Sequence, residues 1–509
     1  MLATIALRWQ DLVVIGISLC AVLAIGALSA QRSKSAEGYF LAGRSIPGWV
    51  LGFSMMSTIV SSMTFLALPA TTYEFNWWQF PGNSTYIIAV VAALVLFVPF
   101  YRKAKLSSAY EYLELRFGTW ARLYAAICFL MFHVVRMGII LYVVGLAVQA
   151  SVGSGLIPIL LILGTLVAVY TIVGGLQAVI WTDLFQGIAL IGGGLVCLPI
   201  ITSQLPEGFG QIIEVGRAEN KFSWISSQAD QQSTWAVICS KIVMYLMMVG
   251  TDQTSVQRYS AARTDKEARH AVVLAGVLAV PVWTYFFFIG TALYVFYKVI
   301  PDPAMAELKT DQIFAHFILT QLPGGLTGLV IVGLLAAALS TLDSSINACA
   351  ATVTNDFYRR LWSSDRSSRH YANVGKLVSI FFGVIMIGTA TVIHIMRARG
   401  AVEDLQTVLL SIFGGGLLSL FLLGFLTRRV HSRPACIATC VTVLTVVIWL
   451  LVNSSLAETL IPSVSQLLPD NIWIGVFSNI ILFSIAYGLS WLQKIDSPKD
   501  LTGLTIWTR

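Results

Sequence analysis

The chain has 509 residues, of which 57% are hydrophobic and 11% are charged, and its mean hydropathy is +0.79. Soluble domains carry about 25% charged residues, so this composition excludes a soluble protein and predicts a polytopic membrane protein. The formal net charge of +7 predicts basic loops beside a membrane rather than a nucleic-acid partner, because the basic residues form no domain of their own.

The first apolar segment, residues 11–30, ends in ALSA, which resembles the cleavage site of a secretory signal. Its apolar run is longer than the central region of a signal peptide. Most of the nearby basic residues follow the segment, namely Arg32, Lys34 and Arg44. Since basic loops face the cytoplasm, we predict a retained helix with the N-terminus of the chain outside.

Twelve further apolar segments reach the length of about 20 residues that a membrane helix needs. They lie near residues 46–70, 78–101, 119–149, 155–173, 177–203, 234–256, 270–299, 325–354, 372–396, 404–426, 434–453 and 471–493. The loops between them alternate between basic and sparsely basic, as loops on opposite sides of a membrane do. The sequence therefore predicts an all-α integral membrane protein with thirteen transmembrane helices and a cytoplasmic C-terminus.

One of the predicted cytoplasmic loops contains the basic residues Arg258, Arg263, Lys266 and Arg269. Arg397 and Arg399 depart from the alternation, because they fall on the outer side.

The odd number of helices places one helix before two five-helix units of opposite orientation. Such an inverted repeat is typical of secondary transporters, whose binding site lies at the membrane midplane where helices are broken. Candidate breaks are residues 57–62 in the second helix and residues 250–253 in its counterpart. Small polar residues at either place are alternatively explained by packing between helices.

The predicted organisation has five parts. They are an extra N-terminal helix with a cytoplasmic loop (1–45), a first five-helix repeat (46–203), an extracellular loop (204–233), a second five-helix repeat (234–430), and two C-terminal helices with a tail (431–509).

A stripe of small polar residues interrupts the apolar segment near 325–354. On a helix, Ala337, Ser340, Thr341 and Ser344 share one face, and Asp343 lies beside them. Neutral oxygens next to a carboxylate suit a desolvated hard cation such as sodium. The alternative is that the hydroxyls bond to their own i−4 carbonyls, but an unpartnered carboxylate in a span costs about 2.5–3.5 kcal/mol, which favours the cation.

Two more charged residues lie inside predicted spans. Asp183 is placed where it can meet Ser344 at one depth, so a second cation site is plausible. Arg136 lies near the centre of the span at 119–149, and its planar guanidinium group suits a carboxylate. That carboxylate belongs either to the substrate or to an acidic residue of the protein.

Other polar residues carry weaker signals. We expect Lys241 to snorkel to the membrane surface, with a substrate contact as the alternative, and His133 to be a packing residue. The cysteines show no CxxC or CxxH spacing, which argues against a zinc site. The sequence also lacks HExxH, GxSxG and Walker A motifs, so we predict no enzymatic activity and an ion gradient as the energy source.

Three blocks of the sequence resemble the sodium:solute symporter family. They are GGLQAVIWTDLFQ at 174–186, TDQTSVQRYSAARTDKEAR at 251–269 and LLAAALSTLDSSIN at 334–347. Within the family, the chain is most similar to bacterial sodium/sialic acid symporters, in SSMTFLALPATTY at 61–73, SSAYEYLELRF at 107–117 and FLMFHVVRMGIILY at 129–142.

The resemblance implies a LeuT-like core of two five-helix inverted repeats in the bacterial inner membrane. It implies alternating-access import of a small organic anion, namely sialic acid (N-acetylneuraminate) or a related sugar acid, with Na⁺ as the coupling ion. We expect a monomer in the lipid bilayer, without an organic cofactor or a nucleic-acid partner. Open alternatives are a symporter for a monocarboxylate, a vitamin or a neutral sugar, and a non-transporting sensor with this fold.

The resemblance also assigns site residues. The first sodium site would use the carbonyls of Ser57, Val60 and Ala337 and the hydroxyls of Ser340 and Thr341. A second site, present in some members, would use Asp183, Ser340 and Ser344, with Asp343 where the sialic acid members carry serine. Arg136 would bind the substrate carboxylate, and Ser61, Thr64, Asn83 and Gln79 would bind its other polar groups.

The chain departs from the sialic acid members of the family at two of these substrate positions and at one other residue. Asn83 replaces a glutamine, Gln79 stands where an aromatic residue is expected, and Lys241 is an additional difference. These departures leave the identity of the substrate open.

Overall fold

The fold is helical throughout the residues that the computed structural model describes. These are 7–60, 62–104, 106, 108–153, 155–226, 233–363, 365–397, 416–453, 468–492 and 501–508. Ser61 and Arg399, and residues 404–415 of one predicted span, lie outside them. Within the described residues, extended pairing is limited to a single bridge between Ile46 and Ala262.

The helices are numbered here in chain order. They are α1 (Trp9–Ser29), α2 (Ala36–Leu41), α3 (Gly48–Ile59), α4 (Ser62–Glu74), α5 (Phe80–Ser84), α6 (Tyr86–Ala92), α7 (Val98–Ala104), α8 (Glu111–Phe117), α9 (Thr119–Val152), α10 (Leu156–Gln204), α11 (Gly208–Ala218), α12 (Thr234–Gly250), α13 (Gln253–Ala261), α14 (Asp265–Val299), α15 (Thr310–Gln321), α16 (Leu326–Thr352), α17 (Ser368–Arg397), α18 (Leu417–Leu426), α19 (Ser432–Val452) and α20 (Ile474–Leu492).

Many of these helices are suited to a membrane. The described part of the chain contains nine helices long and apolar enough to cross one, and eleven such spans if each of two bent helix pairs forms a span. The protein is therefore a multi-pass membrane protein. Thirteen spans would require α10 to count twice and residues 404–426 to form another, so that number stays a prediction.

Both predicted helix breaks are present. α3 ends at Ile59, where the φ and ψ angles of Val60 (−84° and 90°) leave the helix, and the axes on the two sides of this break differ by 53°. α12 and α13 meet at 45°, and the carboxylate of Asp252 caps α13 by accepting a hydrogen bond from Thr254 N at 2.8 Å. Backbone groups freed at such breaks are tolerated in a membrane only inside the protein or along a cavity.

α16 is the central helix of the fold. Among the 18 most apolar consecutive residues of the span that contains α16, 94% are buried, whereas the corresponding share in the span that contains α1 is 17%. α16 crosses α10 at two glycines: a Cβ atom on Gly193 would lie 3.2 Å from Val330 Cα, and one on Gly333 would lie 2.9 Å from Ala189 O. Small residues at the crossing let the two backbones approach, as is usual between membrane helices.

The assignment of Arg258 to a loop is wrong. The chain does not leave the membrane segment after α12 but turns and continues as α13, which buries Arg258 to 2% exposure. The physical reason is an acidic partner elsewhere in the sequence, because Arg258 Nη2 lies 2.8 Å from Asp183 Oδ2 of α10.

Candidate functional site

The predicted hydroxyl stripe of α16 faces the break after α3. Ser340 Oγ lies 3.1 Å from the carbonyl oxygen of Ser57, and Thr341 Oγ1 lies 3.4 Å from that of Thr58. Both hydroxyls also lie 3.3–3.4 Å from the carbonyl oxygen of Ala337. The hydroxyls therefore contact their own helix and a second helix at once.

This oxygen cluster fits a sodium ion. Ser340 and Thr341 are completely buried, and so is Val60 at the break. The buried hydroxyl of Ser57 has no hydrogen-bond partner. Neutral carbonyl and hydroxyl oxygens of this kind are ligands for hard cations, so the structure brings four members of the predicted first site together, with Val60 next to them.

The residues predicted for the second sodium site have two separate environments. Asp183 and Ser344 do meet, as the sequence predicts, but the guanidinium group of Arg258 lies between them. Arg258 Nη2 donates to Asp183 Oδ2 at 2.8 Å and to Ser344 Oγ at 2.6 Å. Ser54 Oγ also donates to Asp183 Oδ2 at 2.5 Å, and Arg258 Nη2 donates to Thr58 Oγ1 at 2.8 Å.

Asp343 has a different environment. Its Oδ2 accepts hydrogen bonds from Tyr170 at 2.8 Å and from Thr182 at 3.3 Å, and both donors belong to α10. Asp183, the next residue after Thr182, has a buried Oδ1 atom without a hydrogen-bond partner. Two buried carboxylates thus lie beside one arginine, an arrangement that carries excess negative charge when both are ionised and attracts a cation.

Arg136 lies half-buried in α9, with its guanidinium carbon 5.7 Å from the centre of the Phe132 ring. The described residues give it no hydrogen-bond or ion-pair partner. Asp252 is already bound by His133 at 3.3 Å and by the Thr254 hydroxyl at 2.6 Å. Asp252 is close enough to act on Arg136 electrostatically, but a direct hydrogen bond or ion pair between Arg136 and an acidic residue, one of the two sequence-based alternatives, is not found within the described ranges.

Of the other predicted substrate residues, Thr64 lies on α4, Asn83 lies on α5 and Gln79 immediately precedes α5. Asn83 is 4% exposed, and its Oδ1 accepts a hydrogen bond from Tyr245 at 3.1 Å. Thr64 and Gln79 are half-buried. The α4 helix that carries Thr64 contacts α9, which carries Arg136.

Sequence reasoning missed two of the residues that organise this region, Arg258 and Tyr170, whereas it predicted the third, His133, as a packing residue. His133 is fully buried and joins Ser345 at 2.9 Å to Asp252 at 3.3 Å, so it connects α9 with α16 and with the second break. Arg258 and Tyr170 bind the two carboxylates. The signal that could have found Arg258 is its position, five residues after the end of the predicted break at residues 250–253.

Comparisons with known proteins give the family of the chain. The family model described as "Sodium:solute symporter family" matches residues 39–442. The sodium/sialic acid symporter SiaT of Proteus mirabilis is 32% identical over 433 residues, which are 84% of this chain and 87% of SiaT.

Solved structures give the same result. The substrate-bound, outward-open structure of a Na⁺-coupled sialic acid symporter matches with a TM-score of 0.84 and 28% identity, covering 96% of this chain and 98% of that one. Mhp1, a nucleobase-cation-symport-1 family transporter, matches with a TM-score of 0.57 and 14% identity, covering 89% of this chain and 94% of that one, and thus shares the fold alone. The predicted LeuT-like fold is confirmed.

Proposed function

Because the chain belongs to the sodium:solute symporter family, we propose that it is a sodium-coupled secondary active symporter that imports a small organic anion. The substrate we propose is sialic acid (N-acetylneuraminate) or a related sugar acid. The observation that carries this proposal is Arg136, a half-buried cation in a membrane span that forms no hydrogen bond or ion pair with an acidic side chain among the described residues. A charge in that position costs several kcal/mol unless it is paired, and a substrate carboxylate would pair with it through two parallel hydrogen bonds.

The oxygen cluster between α3 and α16 supplies the coupling. Sodium bound by the carbonyls of Ser57, Val60 and Ala337 and the hydroxyls of Ser340 and Thr341 would hold α3 and α4 against α16. A ligand shifts a conformational equilibrium only by its different affinity for the two states. Sodium binding therefore favours the arrangement of helices in which this cluster is closed. The proposed substrate residue Thr64 lies on α4, the second half of the same broken helix.

A second sodium ion would bind among Asp183, Ser340, Asp343 and Ser344. Because like charges repel, this ion has to displace Arg258 from Ser344 or bind on the Asp343 side of it. The Hill coefficient for sodium distinguishes one bound ion from two.

We also propose the predicted topology: thirteen spans in two five-helix repeats, an external N-terminus and a cytoplasmic C-terminus, as a monomer in a bacterial inner membrane. The length of α10 supports the span count, since 49 residues extend about 74 Å and the apolar core of a bilayer is only about 30 Å thick. Gly175 divides this helix at φ 58° and ψ −156°, a conformation that favours glycine.

The test is uptake into proteoliposomes. Radiolabelled N-acetylneuraminate is expected to accumulate when an inward sodium gradient is imposed, and not when potassium replaces sodium. Arg136→Ala, checked for folding by size-exclusion chromatography, serves as the transport-deficient control. Sodium-dependent binding without any uptake would instead identify a sensor, and uptake that ignores sodium would contradict the coupling.

A further inference from the structure

The side chain of Arg136 turns toward the break between α12 and α13. Its guanidinium carbon lies 5.7 Å from the centre of the Phe132 ring, and Phe132 precedes it by four residues on α9. The side chain therefore leans toward the beginning of its helix, as long helical side chains commonly do. Phe132 and Asp252 line one cavity between α9 and the break. The guanidinium group thus lies next to a ring that shares a cavity with the carboxylate of Asp252.

A direct contact also brings Asp252 to α9. His133 Nε2 lies 3.3 Å from Asp252 Oδ2, and His133 precedes Arg136 by three residues, so the two share a face of the helix. Asp252 is close enough to Arg136 for the opposite charges to attract each other. Within the described residues, however, no hydrogen bond or ion pair joins them.

The two oxygens of the Asp252 carboxylate are held unequally. Oδ1 caps α13, because it accepts hydrogen bonds from Thr254 N at 2.8 Å and from Thr254 Oγ1 at 2.6 Å. Oδ2 has one hydrogen-bond contact among the described residues, with His133 at 3.3 Å, whereas charge-assisted bonds are typically about 2.7–2.9 Å long. Oδ2 can therefore accept a hydrogen bond from a guanidinium group while Oδ1 stays in place as the cap.

Lys241, another cation in this part of the protein, has different surroundings. Its side-chain stem packs beside Gly82 of α5, where an added Cβ atom would lie 3.3 Å from Lys241 Cγ. Lys241 therefore faces α5 rather than the membrane surface, contrary to the snorkelling that its sequence position suggests. Its Nζ atom lies 5.8 Å from the centre of the Tyr245 ring on α12. The charged group near the break that acts on Arg136 is thus Asp252.

The proposed function gives Arg136 a second partner, the carboxylate of the substrate. When the substrate is bound, two negative charges lie near one guanidinium group, and these like charges repel each other. When the substrate leaves, the guanidinium group remains in a membrane span, where an unpaired charge is costly. Asp252 is placed to pair with Arg136 at that moment.

We propose that Asp252 is a positioning residue of the transport cycle, which competes with the substrate carboxylate for Arg136 and so promotes substrate release. This inference rests on the proposed function, because it assigns Arg136 to a substrate carboxylate. In the proposed topology α9 begins at the cytoplasmic side, and His133, which contacts Asp252, is nearer to that end than Arg136 is. Asp252 therefore acts from the side to which the substrate is released.

The test measures sodium-dependent binding of N-acetylneuraminate and of its neutral carboxamide to the purified protein. The variants are Asp252→Asn and Asp252→Ser, which remove the charge but keep a side-chain oxygen that can cap α13. Both should bind the acid about tenfold more tightly than the wild type does, because one neighbouring negative charge is removed. Their affinity for the amide should change by less than about twofold, since the amide carries no charge. Uptake of the acid should show a lower KM and a lower maximal rate, because the substrate leaves more slowly.

Two control variants separate charge from structure. Thr254→Val removes a hydrogen bond from Asp252 and leaves its charge in place. Glu219→Gln removes the charge of a carboxylate that is 41% exposed and pairs with Lys298. Neither control should bind the acid more tightly than the wild type does.

A gain in affinity is a stringent outcome, because damage to the fold weakens binding. Unchanged or weaker binding of the acid by both Asp252 variants overturns the inference. An equal gain for acid and amide, or the same gain in Thr254→Val, also overturns it, because Asp252 would then act on the shape of the site. If the wild type itself shows no sodium-dependent binding of the acid, the proposed function is contradicted.

Discussion

Replacing either member of the Arg258–Asp183 pair is expected to destabilise the protein strongly. Asp183 is 0% exposed and Arg258 is 2% exposed. Five hydrogen bonds hold the guanidinium group, and they connect it to residues of α3, α10, α13 and α16. Removal of one partner of a buried ion pair leaves the other charge uncompensated, which costs about 3–5 kcal/mol. We expect a loss of this size for Arg258→Met and for Asp183→Asn.

A double-mutant cycle tests whether the two residues act as a pair. Because the double variant buries neither charge, its loss of unfolding free energy should be smaller than the sum of the single losses by about 0.5–3 kcal/mol. The free energy of unfolding is measured by titrating the purified protein in mixed micelles with a denaturing detergent. Lys298→Met is the control, since Lys298 and its partner Glu219 are 46% and 41% exposed and such exposed pairs contribute about 0–1 kcal/mol. Additive losses in the double variant, or single losses as small as that of the control, would refute the reasoning.

Three further groups of variants test the site, and a fourth variant tests the ion pairs of Glu114 outside it. Ser340→Ala and Thr341→Ala should each raise the sodium concentration for half-maximal uptake, since each deletes one neutral ligand; unchanged sodium dependence in both would argue against the first site. If a second sodium ion binds beside Asp183, a well-expressed Asp183→Ala variant should have a lower Hill coefficient for sodium. An unchanged coefficient would count against a second sodium ion at this residue. Arg136→Lys should weaken binding of the sugar acid, because lysine cannot form the two parallel hydrogen bonds, and wild type but not Arg136→Ala should distinguish the acid from its neutral amide. Burial raises the pKa of Glu114, but hydrogen bonds from its arginine partners outweigh this effect and lower the pKa to about 2. The ionised carboxylate therefore stabilises the folded protein fully above about pH 5, and this stabilisation is lost as the pH falls toward 2. Glu114→Gln should remove that part of the pH dependence of the melting temperature.

The apolar pattern of the sequence predicted the membrane class and both helix breaks because those features are local. A span needs about 20 apolar residues, and a break needs a run of polar residues within one. The error at Arg258 has the opposite cause. Hydropathy treats an arginine as a loop residue, whereas its burial depends on Asp183, which is 75 residues away in the sequence.

The same distinction between local and long-range features applies to the candidate site. The hydroxyl stripe on α16 follows from helical periodicity, and the resemblance to a family supplied the carbonyls of α3 that the stripe faces. The different partners of Asp183 and Asp343 could not be predicted from the sequence, because they depend on how two adjacent residues of α10 are oriented in the folded protein. Thr182 donates to Asp343 at 3.3 Å, while Asp183 accepts from Arg258 at 2.8 Å.

Arg258 and the proposed sodium site act on the same boundary between helices. Arg258 of α13 bonds to hydroxyls of α3 and also to Asp183 of α10 and Ser344 of α16, so its contacts join both broken helices to the two long helices. Ser340 and Thr341 lie one turn away on α16 and contact the carbonyls of α3. In the proposed transport cycle, movement of the broken helices against α10 and α16 has to change both sets of contacts. Arg258 carries its charge in every state of the cycle, whereas sodium adds a charge at this boundary only when it is bound. This difference allows the sodium gradient to set which arrangement of the helices is favoured.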